Sequence, residues 1–348
     1  MLVKKLSKFI KNKKEEQANI KVLKFQGEVG DGGFSSPVKL PEQNKAALIE
    51  DKELKIRQVQ GKSGESGFTY FLDGIERKRV IFNYNFIPVT YGYIAAVVMK
   101  RTDKKMHSIG LEYNEENIYL PYKQLGDEPE NYFNFADFDK YGMKPVNTGK
   151  KDKETGEYPL FPEQFEQNAH IQIQKKRTKK EKNLAEDWLG RNFNDGWLFI
   201  DGRLSTKSDK LLFNSNVAGI IKSHNARYFE PEDQFKIYSM KKGERSSVFQ
   251  PEIKYKEYEE ENVYSWYLKI HENKHNGDNT FGIIRIEIPA KDKFLEQIDT
   301  ISHWILLETN PIAFPASRWD RMIYPIKYCE DYLRSKAPSW TQIESLAY

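Results

Sequence analysis

Short runs of apolar residues, cut by acids, glycines and asparagines, divide this chain into strand-length pieces. Residues 68–72, 90–100, 197–200 and 217–223 are such runs, and 91–99 is apolar at almost every position, as in a strand covered on both faces. Residues 52–60 and 79–86 extend the β pattern, with 61–67 as a turn, and 107–120 adds one strand or two. Residues 263–271 and 280–289 predict a strand pair around a 272–279 loop whose Asn276 and Gly277 suit a turn. The period then changes. Residues 161–189 predict a long helix, and 293–307 another, with Phe294, Ile298, Ile301 and Ile305 on one face. Residues 323–333 predict a last helix, with Pro325 in its first turn. Residues 127–160, rich in Asp, Glu, Gly, Asn and Pro, read as an irregular insertion. Strands, a helix, more strands and closing helices indicate an α/β fold, a mixed sheet flanked by helices.

Two of the strand runs end in the same way. Tyr70-Phe71-Leu72 leads into Asp73-Gly74, and Trp197-Leu198-Phe199-Ile200 leads into Asp201-Gly202. The glycine is expected to turn the chain away and leave the acid at the strand tip. Each Asp-Gly alone is also ordinary turn chemistry. If the two strands are neighbours, however, Asp73 and Asp201 meet, and two adjacent carboxylates stay ionised together only beside a cation. An all-oxygen setting selects Mg²⁺ or Mn²⁺ over zinc. A third acid is expected from the preceding helix. Glu186 is the first choice because Leu184, Trp188 and Leu189 mark a buried side around it, and Glu181 and Asp187 are its rivals. A surface salt bridge is the plainer reading of Glu186.

Composition narrows the classes. The chain has 348 residues, 39% of them hydrophobic and 14% aromatic, enough for a substantial core. Lys and Arg total 55 against 51 Asp and Glu, so the net charge of +4 excludes an acidic disordered chain. Cys329 is the single cysteine, which excludes an intrachain disulfide and a cysteine-rich zinc site. The six histidines have no metal-ligand spacing, and no nucleophile elbow is present. No secretory signal or membrane span is visible, so a cytoplasmic protein is expected.

Charge is clustered. Residues 1–17 form a basic, weakly amphipathic start that either packs on its own domain or docks a partner. The loop 28–41, with Gly-Asp-Gly-Gly, lacks the strand and helix that a nucleotide cradle needs. The densest basic stretch is 175–182, where Lys175, Lys176, Arg177, Lys179 and Lys180 make either a solvated face or a rim for nucleic-acid phosphates. Lys222 ends a buried strand and can approach a phosphate as a compact charge. Arg285 alternates with Glu287 on one strand face, which fits a structural pair, or a phosphate contact by Arg285.

These motifs together resemble the NurA family of DNA-end-processing nucleases. The matching pieces, in order, are Phe71-Leu72-Asp73-Gly74, a glutamate on the following helix, Phe199-Ile200-Asp201-Gly202-Arg203-Leu204, residues 217–223, Ile284-Arg285-Ile286-Glu287-Ile288-Pro289, and Asp320-Arg321-Met322-Ile323-Tyr324-Pro325. They span about residues 68–335. The resemblance implies a ribonuclease-H-like nuclease domain over 51–335, with 1–50 as a basic helix and loop before it and 336–348 as a tail. It implies metal-dependent hydrolysis of DNA ends, with Asp73, Glu186 and Asp201 holding Mn²⁺ or Mg²⁺ and Tyr324 completing the site. The fourth ligand is expected in the last helix, where the family often has histidine or aspartate. Here Glu330, Asp331 and Asp320 are the candidates, Glu330 first. Arg203 stands where a small hydroxyl residue is usual, and could contact phosphate. The resemblance also implies a homodimer that works with a HerA-like hexameric ATPase. The alternative is a subunit of the same complex that binds DNA or regulates, and has lost cleavage.

Overall fold

The computed structural model describes residues 2–16, 20–22, 42–61, 64–84, 86–121, 135–151, 156–158, 161–193, 195–204, 209–214, 216–223, 226–252, 263–272, 279–310 and 321–345. Seven strands carry the architecture: β1 (Phe68–Tyr84), β2 (Ile87–Thr102), β3 (Lys105–Leu120), β4 (Trp197–Asp201), β5 (Val217–Ile221), β6 (Val263–Lys269) and β7 (Ile283–Pro289). The helices that matter most are α1 (Leu2–Glu15), α2 (Pro162–Gly190), α3 (Ile298–Glu308) and α4 (Tyr324–Lys336).

The strands lie in one mixed sheet in the order β3-β2-β1-β4-β5-β7-β6. β1, β2 and β3 form an antiparallel meander, β4 and β5 run parallel to β1, and β7 and β6 return antiparallel. A parallel neighbour cannot be reached through a hairpin, so the chain crosses over between β3 and β4, and α2 is that crossover. Its helix face buries Leu184, Ala185 and Trp188 against Tyr70, Leu72, Leu198 and Ile200. The residues between them, Phe71 and Phe199, point to the opposite face, where they join Ile220, Ile286, Ile301, Ile305, Ile326 and Cys329 under α3 and α4. The period-2 alternation of β1 and β4 thus gives each sheet face its own helical cover.

The structure departs from the expected boundaries in three places. β1 does not stop at Gly74. It runs on to Tyr84 and absorbs the separate strand expected at 79–86, because β2 supplies an unbroken ladder across Asp73–Val97, Gly74–Ala96 and Ile75–Ala95. The strand expected at 52–60 is confined to Ile56–Gln58. The helix expected at 293–307 is two, Asp292–Leu295 and α3.

The start of the chain belongs to the same body. α1 buries Val3, Leu6, Phe9 and Ile10, with Phe9 stacked on Phe138 at 4.8 Å and tilted on Phe82 at 6.0 Å. Its apolar face is therefore spent on its own domain. Ala46–Leu48 joins the sheet through Phe249–Pro251, and Phe138 and Met143 of the expected insertion are buried. At the far end a short helix, Trp340–Glu344, is capped by Ser339 and places Trp340 against Arg79. Among the described residues no helix is long and apolar enough to cross a membrane.

Candidate functional site

The parallel pairing of β1 with β4 sets Phe71 beside Phe199 and Leu72 beside Ile200. One residue further along each strand stand Asp73 and Asp201, on the face that carries Phe71 and Phe199. β4 ends at Asp201, and Gly202 turns the chain away with φ +112°, a backbone region that favours glycine. The turn folds back over β5 because Gly219 has no side chain: a Cβ there would lie 2.7 Å from the Gly202 carbonyl. The glycine-turn expectation therefore holds for Gly202 and fails for Gly74.

Gly74 has another use. Its N–H donates to Asp73 Oδ1 at 2.8 Å and its carbonyl accepts from Arg177 Nη1 at 3.0 Å. On its bare side Glu181 of α2 comes so near that a Cβ at Gly74 would lie 2.3 Å from Glu181 Oε1. From the other sheet face α4 brings Glu330, while Cys329 lies over β1 with its Sγ 3.8 Å from the Phe71 carbonyl.

Asp73 thus feels three other carboxylates, Asp201 on the neighbouring strand, Glu330 of α4 on its own face of the sheet, and Glu181 of α2 on the opposite face. Asp73 and Glu181 are the buried members, at 7% and 4% exposure. Burial pushes its carboxyl well above the usual range, the charge of Asp201 adds to this, Lys222 opposes it, and Glu181 and Glu330 raise it further. Lys222 donates from Nζ to Asp201 Oδ2 at 3.1 Å. Burial disfavours its charge, but Asp201, Asp73 and Glu330 together outweigh that and hold the ammonium above its ordinary value. On the α2 side, Arg177 Nε lies 3.6 Å from Glu181 Oε1 and 3.3 Å from Glu76 Oε2.

Other site candidates fall elsewhere. The Glu186 carboxylate lies 3.9 Å from Lys182 Nζ on the flank of α2, while its expected rival Glu181 is the acid that comes against Gly74. Tyr324 opens α4 and is 41% exposed. Asp331 pairs with Lys327 on the outer side of α4, and Asp320 lies outside the described residues. Of the basic candidates, Lys175, Lys179 and Arg203 are exposed, Lys176 is paired with Glu115, and Lys180 lies 3.9 Å over the Tyr113 ring.

Arg285 does not reach the surface, which removes it from the phosphate contacts. It is 3% exposed, donates to Glu287 Oε1 at 2.8 Å and Ser265 Oγ at 3.0 Å, and lies over the Tyr228 ring. Glu287 in turn accepts the Leu204 N–H at 2.8 Å. The pair thus anchors the turn that follows Asp201.

Among the described residues no group of three or more carboxylate, histidine or cysteine side chains stands ready-made at metal-ligating separation. The acids lean instead on separate cations, Asp201 on Lys222, Glu181 on Arg177 and Glu330 on Arg334. By chemistry the donors suit a hard divalent ion, since all are oxygen, but three of the carboxylates already have cations beside them: Lys222 at Asp201, Arg177 at Glu181, and Arg334 Nη2 at Glu330 Oε1, 2.7 Å away. No protein-family model matches this chain, and no curated protein matches its sequence.

Proposed function

We propose that this chain is a metal-dependent DNA nuclease of ribonuclease-H-like architecture. The observation that carries the reading is that Asp73 and Asp201 each follow the paired Leu72 and Ile200 of two parallel strands, near enough for Asp201 to raise the Asp73 carboxyl, with Glu181 and Glu330 on helices that cover opposite faces. An antiparallel three-strand meander, a helical crossover and two parallel strands, with the first acid on the central strand, support the architecture. The resemblance to the NurA family adds the finer parts of the proposal: action on DNA ends, a homodimer, and a HerA-like hexameric ATPase as partner.

Asp73, Glu181, Asp201 and Glu330 would hold Mn²⁺ or Mg²⁺, which when bound supply Lewis acidity and a water acidic enough to attack a phosphodiester. The rest falls to the chain's own groups. Burial of Asp73 keeps bulk water from its carboxyl and disfavours its charge, which Lys222 favours. Lys222 Nζ, beside Asp201, is placed to neutralise a phosphate oxygen. Arg203 and Tyr324, both exposed, can meet the substrate backbone, and the exposed Lys175 and Lys179 continue that contact along α2.

The test compares the native chain with Asp73→Ala and Asp201→Ala on linear and circular DNA in Mn²⁺ or Mg²⁺. Cleavage by the native chain, and at least a hundredfold loss in each variant, is expected. Variants as active as the native chain would sink the reading. The engagement of Asp201 by Lys222 and of Glu181 by Arg177 favours a second reading, a DNA-binding subunit that does not cleave. It predicts DNA binding with equal inactivity of all three proteins.

A further inference from the structure

We infer that Arg177 is the positioning residue of the acid cluster, and that its guanidinium sets Glu181 against the Asp73-Gly74 backbone rather than contacting nucleic acid. The inference rests on the nuclease reading of that cluster.

Arg177 lies four residues before Glu181 on α2, so the helix places both side chains on one face. Its three contacts point inward and lie on two different elements. Nη1 donates to the Gly74 carbonyl at 3.0 Å, while Nε stands 3.3 Å from Glu76 Oε2 and 3.6 Å from Glu181 Oε1. Gly74 also gives its N–H to Asp73. One peptide segment therefore binds the strand acid through its N–H and the helix arginine through its carbonyl, and leaves room on its bare side for the helix acid. Arg177 closes this circuit. The planar fork of a guanidinium can serve a carbonyl and two carboxylates at once, whereas a lysine ammonium is a point charge on a flexible stem. Glu181 is buried at 4% exposure, with the Arg177 guanidinium beside its carboxylate. The neighbouring Lys175 and Lys179 are exposed on the same helix, which separates an outer row available to a ligand from the inner arginine.

The test is calorimetric titration of the DNA-free protein with Mn²⁺, using the native chain, Arg177→Lys and Arg177→Met, with DNA affinity measured at several salt concentrations. Arg177→Met is expected to weaken Mn²⁺ binding at least tenfold. Arg177→Lys should fall between it and the native chain. The slope of log affinity for DNA against log salt should stay unchanged in both. A phosphate-contacting Arg177 would instead lower that slope by about 1 and leave Mn²⁺ binding intact, which would overturn the inference. Should Arg177→Met fail to fold, Arg177→Lys decides by the same two readouts. If the native chain binds no Mn²⁺, the nuclease reading falls together with this one. If it binds Mn²⁺ and neither variant differs, only the role of Arg177 falls.

Discussion

Gly74 and Glu181 compete for one space: a Cβ on the glycine would lie 2.3 Å from Glu181 Oε1 and 2.9 Å from its Cγ. Both residues are buried, so neither can swing into solvent at no cost. Gly74→Ala is therefore expected to destabilise the fold by about 1–3 kcal/mol, as overpacking does. Adding Glu181→Ala should return most of that loss. Urea unfolding of the single and double variants measures both, and additive losses would show that the two residues do not share the space.

The raised carboxyl of Asp73 links stability to pH. Burial is the main cause, with Asp201 next. Between its unfolded and folded pKa values the native state holds the extra proton, so stability is full below the unfolded value and declines as pH rises through the folded one. Asp73→Asn removes the buried charge with little change of shape. It is expected to melt higher than the native chain at pH 8, with the gain shrinking towards pH 4, and to be inactive as a nuclease. A gain that grows on acidification would contradict this.

His170 on α2 acts in the opposite sense. Burial, aided by Lys78 and opposed by Glu76, lowers its pKa from 6.5 to about 4, and Glu166 lies 3.7 Å from its Nε2. The unfolded chain therefore binds the extra proton in that window, and stability falls as pH drops from 6.5 to about 4. His170→Gln should flatten this part of the profile. An unchanged slope in thermal melts across the window would refute the assignment.

The buried Arg285–Glu287 pair should behave unequally on single and double replacement. Glu287→Ala strands the Arg285 guanidinium, at 3% exposure, and is expected to cost about 3–5 kcal/mol. Arg285→Met with Glu287→Leu should recover much of that in urea unfolding. It leaves the Leu204 N–H without its acceptor, so the turn after Asp201 loosens and Mn²⁺-dependent cleavage should stay low. Full activity of the double variant would show that the turn needs no anchor.

Lys175 and Lys179 form the exposed row on α2. Replacing either with Ala should weaken DNA binding on all sequences alike and lower the salt slope by about 1. No change in slope would place the DNA path elsewhere.

Much of the scaffold was legible because hydrophobic periodicity is a local signal. The helix expected at 161–189 is Pro162–Gly190, and the runs at 197–200 and 217–223 became β4 and β5. The repeated Asp-Gly also pointed to the two aspartates that the fold sets side by side. What the local pattern could not supply was which acid of α2 comes against the Asp73-Gly74 backbone. Glu181 and Glu186 lie five residues apart, about 140° around a helix of 3.6 residues per turn, so only one can face the sheet. Leu184, Trp188 and Leu189 suggested a buried side near Glu186, yet that side packs on the apolar part of β1 and β4.

By itself, then, the order of residues determined where most of the strands and helices lie and which two aspartates end or cross their apolar runs. Three-dimensional packing decided the rest: that β1 continues through Gly74, that this glycine makes room for Glu181, and that Arg177 and Arg285 turn inward while Lys175 and Lys179 face out. The reason is physical. Periodicity depends on neighbours along the chain, but the surroundings of a charged group depend on segments far apart in sequence, and those meet only when the sheet is assembled.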